Sequence, residues 1–133
     1  MKTEIATDGA PKAIGPYVQG VRSGSLVFLS GQIALDPESG QMIVGGVGAQ
    51  TRRALENLKA VLDAAGSGLG RVLKTTVYLT DMGMFTEMNE AYASFFGEAP
   101  PAQITSPPRF RAKWVAPWSR RTSAARSAAQ PLT

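Results

Sequence analysis

The stretch Ala49-Gln50-Thr51-Arg52-Arg53-Ala54-Leu55-Glu56-Asn57-Leu58-Lys59-Ala60-Val61-Leu62-Asp63-Ala64-Ala65-Gly66 decides the fold. Leu55, Leu58, Val61, Leu62 and Ala65 recur at the spacing of one helix face, while Arg52, Arg53, Glu56 and Lys59 fall largely on the other. This predicts a helix over 49–65, stopped by Gly66 and Gly68. Downstream, 72–80 is rich in β-formers (Thr75, Thr76, Val77, Tyr78) and predicts a strand. Asp81 then caps a second helix over 84–96, with Phe85, Met88, Tyr92, Phe95 and Phe96 as its core face. Upstream, 1–17 reads as an extended lead-in. The runs 18–21 and 26–30 flank Arg22-Ser23-Gly24-Ser25 as a hairpin. Asp36-Pro37-Glu38-Ser39-Gly40 is a turn, 41–44 a brief third run, and Gly45-Gly46-Val47-Gly48 a linker. The linker lacks the Lys-Ser/Thr that a phosphate-binding loop requires. The order is β-β-(β)-α-β-α. It predicts a single small α+β domain with a mixed sheet and two helices on one face, lacking one further pair of strands.

Those strands must come from a segment of different character. All ten acidic residues and all fourteen glycines lie at or before Glu98. Eight basic residues against ten acidic ones give −2 there, and the six basic residues after Glu98 give +6, for the overall +4. The last part of the chain is dominated by Ala, Pro, Ser and Arg, and Pro107-Pro108 and Pro117 remove ladder donors from any central strand. The reading is therefore an ordered unit over 1–102 and an atypical basic segment over 103–133, its last strands atypical or missing. Within that segment 110–114 is a candidate short strand and 119–133 reads as disordered. Such a composition is also what an out-of-frame reading of a G+C-rich gene gives. Pro117-Trp118-Ser119 written CCG-TGG-AGC contains Val-Glu in the adjacent frame.

The chain has 133 residues, enough for a real core, and neither cysteine nor histidine. Thiolate chemistry is excluded, and so are the usual metal ligand and the usual general base at neutral pH. No carboxylate cluster offers a metal site. No apolar run is long enough to span a bilayer, and the N-terminus lacks a signal-peptide pattern, which predicts a cytoplasmic protein. The net positive charge is confined to the tail, where Trp114 and Trp118 could serve as stacking platforms, but the favoured expectation is a solvated extension with no nucleic-acid partner.

Three stretches resemble the YjgF/RidA family of imine/enamine deaminases. They are Ala13-Ile14-Gly15-Pro16-Tyr17, then Leu29-Ser30-Gly31-Gln32-Ile33, and Met88-Asn89-Glu90-Ala91-Tyr92 with Phe95-Phe96-Gly97-Glu98. Lys74-Thr75-Thr76-Val77-Tyr78-Leu79-Thr80-Asp81 fits the same pattern, and the resemblance covers about residues 3–102. It implies a homotrimer with clefts between subunits. It also implies cofactor-free hydrolysis of reactive 2-imino acids, such as 2-iminobutanoate and 2-iminopropanoate, to 2-oxo acids and ammonia. Carried over by position, Tyr17 and Ser30 are the catalytic candidates, and Gly31, Asn89, Gln103 and Thr105 the substrate-binding ones.

Two positions depart from the family. Gln103 stands after Pro101-Ala102 where the family has arginine, and no carboxylate follows Glu98 to serve as its later glutamate. A neutral amide cannot supply the charged fork that grips a carboxylate, and losing such a contact costs about 1.5–3 kcal/mol. Arg109 and Arg111 are the substitutes within reach in sequence. The implied activity is therefore an impaired deaminase. The alternative is a non-catalytic trimeric small-molecule binder of the same family.

Overall fold

A computed structural model describes residues 1–107 and 127–128. The elements run β1 (Lys2–Ile5), β2 (Gly20–Ser23), β3 (Leu26–Leu29), α1 (Val47–Ala64), β4 (Lys74–Tyr78), α2 (Phe85–Phe96), β5 (Ala102–Ser106) and β6 (Ser127–Ala128). They form one mixed sheet in the order β1-β2-β3-β6-β4-β5. The first three strands are antiparallel, and β6 and β5 flank β4 in parallel. This is the expected α+β architecture, completed by the last two strands. The strand β5 is full length and crosses residue 102, while β6 contributes only two residues. The candidate strand 110–114 lies outside the described residues, as does all of 119–133 except β6.

Register fixes which side chains meet the helices. Ile5, Gly20, Leu29, Thr75 and Gln103 form one row across the sheet through successive pairs. Ile5, Leu29 and Thr75 of that row are buried. Alternation then places Val77 and Thr105 on the same face, and Val21, Phe28, Tyr78 and Ile104 on the other. Both helices cover the first face. The core there is Leu29 and Val77 beneath Leu55, Leu58, Val61 and Leu62 of α1 and Met88, Tyr92 and Phe96 of α2. Among the described residues nothing covers the second face.

Local chemistry sets the ends of these elements. The hairpin β2–β3 closes through Gly24 at φ +58°, a conformation glycine adopts without a Cβ penalty. The carboxyl end of α1 is capped by Gly66 at φ +71°, with Gly66 N–H donating to Asp63 O (2.9 Å) and Ser67 N–H to Leu62 O (2.9 Å). Arg22 adds a guanidinium donor to the Ala65 carbonyl, where the helix dipole favours a cation. At the other end, α1 starts at Gly46 without a side-chain cap of its own. The Glu87 carboxylate of α2 takes that role by accepting from Gly48 N–H at 3.2 Å, which ties the two helices together.

Three sequence expectations change. The lead-in contains β1, an edge strand whose only buried residue is Ile5. The run 41–44 forms no strand and makes a single bridge, Leu35 to Met42, with Val44 fully exposed. Asp81 caps a short 3-10 turn, Met82–Met84, that precedes α2, and this leaves Phe85 largely outside the core. Among the described residues no helix is long and apolar enough to cross a membrane.

Candidate functional site

The six residues singled out from the sequence fall into two groups. The first is built where β3 ends. Ser30 N–H donates to Gln19 O (2.9 Å) and its hydroxyl to Val18 O (2.5 Å), which docks the end of β3 onto the segment carrying Tyr17. Gly31 follows directly. Tyr17 sits in the tight bend after Gly15, with its N–H donating to Gly15 O at 2.8 Å, and it is 49% exposed. Its ring borders an open depression of about 460 Å³ that also touches Glu4, Asp8 and Lys12.

Two buried amides unrecognised in the sequence hold this half in place. Gln19 accepts from Thr7 N–H (2.6 Å) and donates to the carbonyls of Thr7, Ala10 and Pro11 (3.0, 3.2 and 2.9 Å). It thereby folds the lead-in against β2. Asn57, fully buried on α1, donates to Ile33 O (3.2 Å) and Leu35 O (2.9 Å) just beyond Gly31. Its own oxygen accepts from Arg53 at 2.9 Å. A buried amide at a helical position looks like any surface asparagine in sequence. Its value lies in unpaired loop carbonyls that only the fold brings near.

The second group surrounds β5. Gln103 and Thr105 alternate onto the helix side, and the Thr105 hydroxyl donates to Gln103 Oε1 at 3.0 Å. Across the register from Gln103, Thr75 shares a 2.6 Å hydrogen bond with the Tyr92 hydroxyl, both residues being buried. Burial pushes the Tyr92 hydroxyl above the usual phenol range, while hydrogen bonding with Thr75 and Gln103 pulls it back. Asn89 lies half-buried on α2, three residues before Tyr92 and so beside it on the helix surface. Tyr92, expected only as core, thus also belongs to the polar cluster.

The two groups do not meet within one chain. Ser30 and Gly31 follow β3, whereas Gln103 lies on the edge strand β5, three strand spacings or about 14 Å away. Tyr17 borders the β1 side and is farther still. A cavity of about 280 Å³ is lined by residues of β3, α1 and β4, among them Leu29, Leu58 and Thr75, and by none of the six. Among the described residues no cluster of Asp or Glu is placed to hold a metal ion.

Comparison with known proteins agrees with this architecture. The family described as Endoribonuclease L-PSP matches residues 7–110. A RutC family protein of Pyrococcus horikoshii is 51% identical over 104 residues, covering 78% of this chain and 82% of the relative. The 2-iminobutanoate/2-iminopropanoate deaminase of Salmonella typhimurium is 50% identical over 98 residues, 74% of this chain and 76% of the relative. Among solved structures, E. coli TdcF with bound serine superposes with a TM-score of 0.76 at 43% identity, covering 84% of this chain and 89% of that one. With the family match spanning most of the chain and these identities, the chain belongs to the YjgF/RidA family, the one described as Endoribonuclease L-PSP.

Proposed function

We propose that this chain is a cofactor-independent cytoplasmic hydrolase of C=N bonds. It converts 2-imino acids to 2-oxo acids and ammonia in clefts between the subunits of a homotrimer. The observation that carries the reading is the separation of the two residue groups. Tyr17, Ser30 and Gly31 lie about 14 Å or more from Gln103, so a ligand of a few ångströms spans both only if a second copy brings one group to the other. The uncovered sheet face bearing Val21, Phe28, Tyr78 and Ile104 is the surface available for that assembly. Support for the chemistry comes from relatives at 46–50% identity named 2-iminobutanoate/2-iminopropanoate deaminase.

The residues suit a reaction that needs little acid–base power. A protonated imine is already electrophilic. Water adds to its carbon, a proton passes to nitrogen, the C–N bond breaks, and the carbonyl forms as ammonia leaves. The protein has to hold the substrate and orient the water. Ser30 has committed its proton to Val18 O, so its remaining lone pairs act as hydrogen-bond acceptors and the residue is no nucleophile. Gly31 leaves its backbone N–H open to close approach, and the Tyr17 ring forms a wall. Asn89 and Gln103 offer neutral amides. A ribonuclease reading, raised by the family's description, has to work without any histidine in the chain.

The test is 2-oxobutanoate and ammonia release from 2-iminobutanoate generated freshly in the assay. The expected result is a rate above buffer that saturates only at high substrate, because Gln103 makes no ion pair with the carboxylate. A rate equal to buffer would reject catalysis. The second reading, a non-catalytic trimeric binder, is favoured by the neutral Gln103 and the lack of any carboxylate after Glu98. Its outcome is a ligand-dependent rise in melting temperature without turnover.

A further inference from the structure

Gln103 and Thr105 stand two residues apart in β5 and so share the helix-side face of the sheet. Across the parallel ladder Gln103 pairs with Thr75 and Thr105 with Val77, both partners being buried. Beside a buried valine, a second valine would fill position 105 with the same shape and suit a strand equally well. What threonine adds is one hydroxyl, and that hydroxyl donates to Gln103 Oε1 at 3.0 Å. Both side chains are half-buried, so the bond is partly shielded from water while the amide stays within reach of a ligand. The floor beneath them is fixed as well, because Thr75 is bound to Tyr92 at 2.6 Å.

We propose that Thr105 is a positioning residue, which acts on the ligand through Gln103 by holding the Gln103 amide ready for the carboxylate end of the substrate. The ladder to β4 fixes the backbone of Gln103, and the Thr105 hydroxyl fixes the far end of its side chain. An amide ordered beforehand binds without the loss of rotamer freedom that a loose one incurs. A neutral amide also makes a weaker bond to a carboxylate than a guanidinium does, so ordering counts for a larger share of its affinity. This changes the part expected of Thr105 from the sequence, where it stood as a substrate-binding residue in its own right. The inference rests on the reading that Gln103 faces the ligand in the inter-subunit cleft.

Two measurements on the full chain test it: nitrogen-15 relaxation of the Gln103 side-chain amide, assigned by its loss in Gln103→Ala, and pyruvate binding by titration calorimetry. The amide is expected to be ordered in the native and Thr105→Ser chains and mobile on the picosecond-to-nanosecond scale in Thr105→Val. Pyruvate is expected to bind Thr105→Val about three- to tenfold more weakly than the native chain, the scale of one hydrogen bond, and Thr105→Ser within about twofold of it. In a Gln103→Ala background Thr105→Val should change the affinity no further, since the hydroxyl then has no amide to hold. Equal amide mobility in the native and Thr105→Val chains, or equal pyruvate affinity of the two, would overturn the proposal and leave the cleft reading standing. A further loss of affinity in the Gln103→Ala background would put Thr105 in direct contact with the ligand and overturn it too. A native chain with an ordered amide that binds no pyruvate would remove the cleft reading and this proposal with it.

Discussion

Replacing Asn57 with leucine is expected to lower the thermal unfolding midpoint by roughly 10 °C or more. Leucine matches asparagine approximately in size, so packing on α1 is largely retained. What disappears is the amide that donates to Ile33 O and Leu35 O and accepts from Arg53. Asn57 is fully buried, and water has little access to replace these bonds. Each buried polar group left unsatisfied costs about 1–3 kcal/mol, giving a loss of about 2–5 kcal/mol. That is a large part of the 5–15 kcal/mol typical of a domain. The two carbonyls belong to the loop that continues from Ser30-Gly31, so ligand affinity should fall along with stability. Differential scanning calorimetry checks the first effect. A midpoint within about 2 °C of the native value would mean that the loop carbonyls find water or other partners.

Ile104→Asp is expected to convert the assembled protein into monomers without unfolding them. Ile104 sits at the centre of β5 on the face that no described element covers, and it is 48% exposed in the single chain. A charge there is hydrated in the monomer, so the fold is spared. In an assembly that packs this face against a second copy, the same carboxylate is buried without a partner, which costs several kcal/mol per subunit. Light scattering coupled to size-exclusion chromatography should report a trimer mass for the native chain and a monomer mass for the variant, with unchanged circular dichroism. A native monomer, or a variant that remains trimeric, would remove this face from the account of assembly.

The parts of the fold legible in the sequence are those fixed by local periodicity. The apolar stripe of α1 and its glycine stop were readable, because a helix face and a left-handed cap each leave a pattern within a few residues. The same holds for β4, whose β-branched run alternates buried and half-buried positions. The strand β1 was not legible. Lys2-Thr3-Glu4-Ile5 has one buried side chain, and its strand conformation comes from the ladder offered by β2. The reverse held for 41–44, where an apolar run finds no neighbouring strand beyond one bridge. The proline-rich composition after Glu98 obscured β5. It forms regardless because Pro101 precedes the strand and Pro107 follows it, where a missing donor costs little.

Legibility of the site was uneven for a different reason. Tyr17, Ser30, Gly31 and Asn89 were assigned through motif positions, and Gln103 through its departure from one. Gln19, Asn57 and Tyr92 were not assigned to the site. Their roles depend on which loop carbonyls and side chains the fold carries to them, and no residue spacing encodes that. The fold also sets what the sequence alone could not, that the two groups are separated within one chain. The frame of the gene after Glu98 is a separate matter, settled by its DNA sequence.

The most direct test of a shared cleft is complementation between two defective chains. Tyr17→Ala disables one group and Asn89→Ala the other, and each variant alone is expected to be inactive in imine hydrolysis. Refolded together in equal amounts, the two should regain about one quarter of native turnover, since a site built from two copies is then intact with that frequency in a random ring. Recovery to that level is the result the account predicts. A mixture no more active than either variant alone, from chains shown to co-assemble, would place the whole site within a single subunit and contradict it.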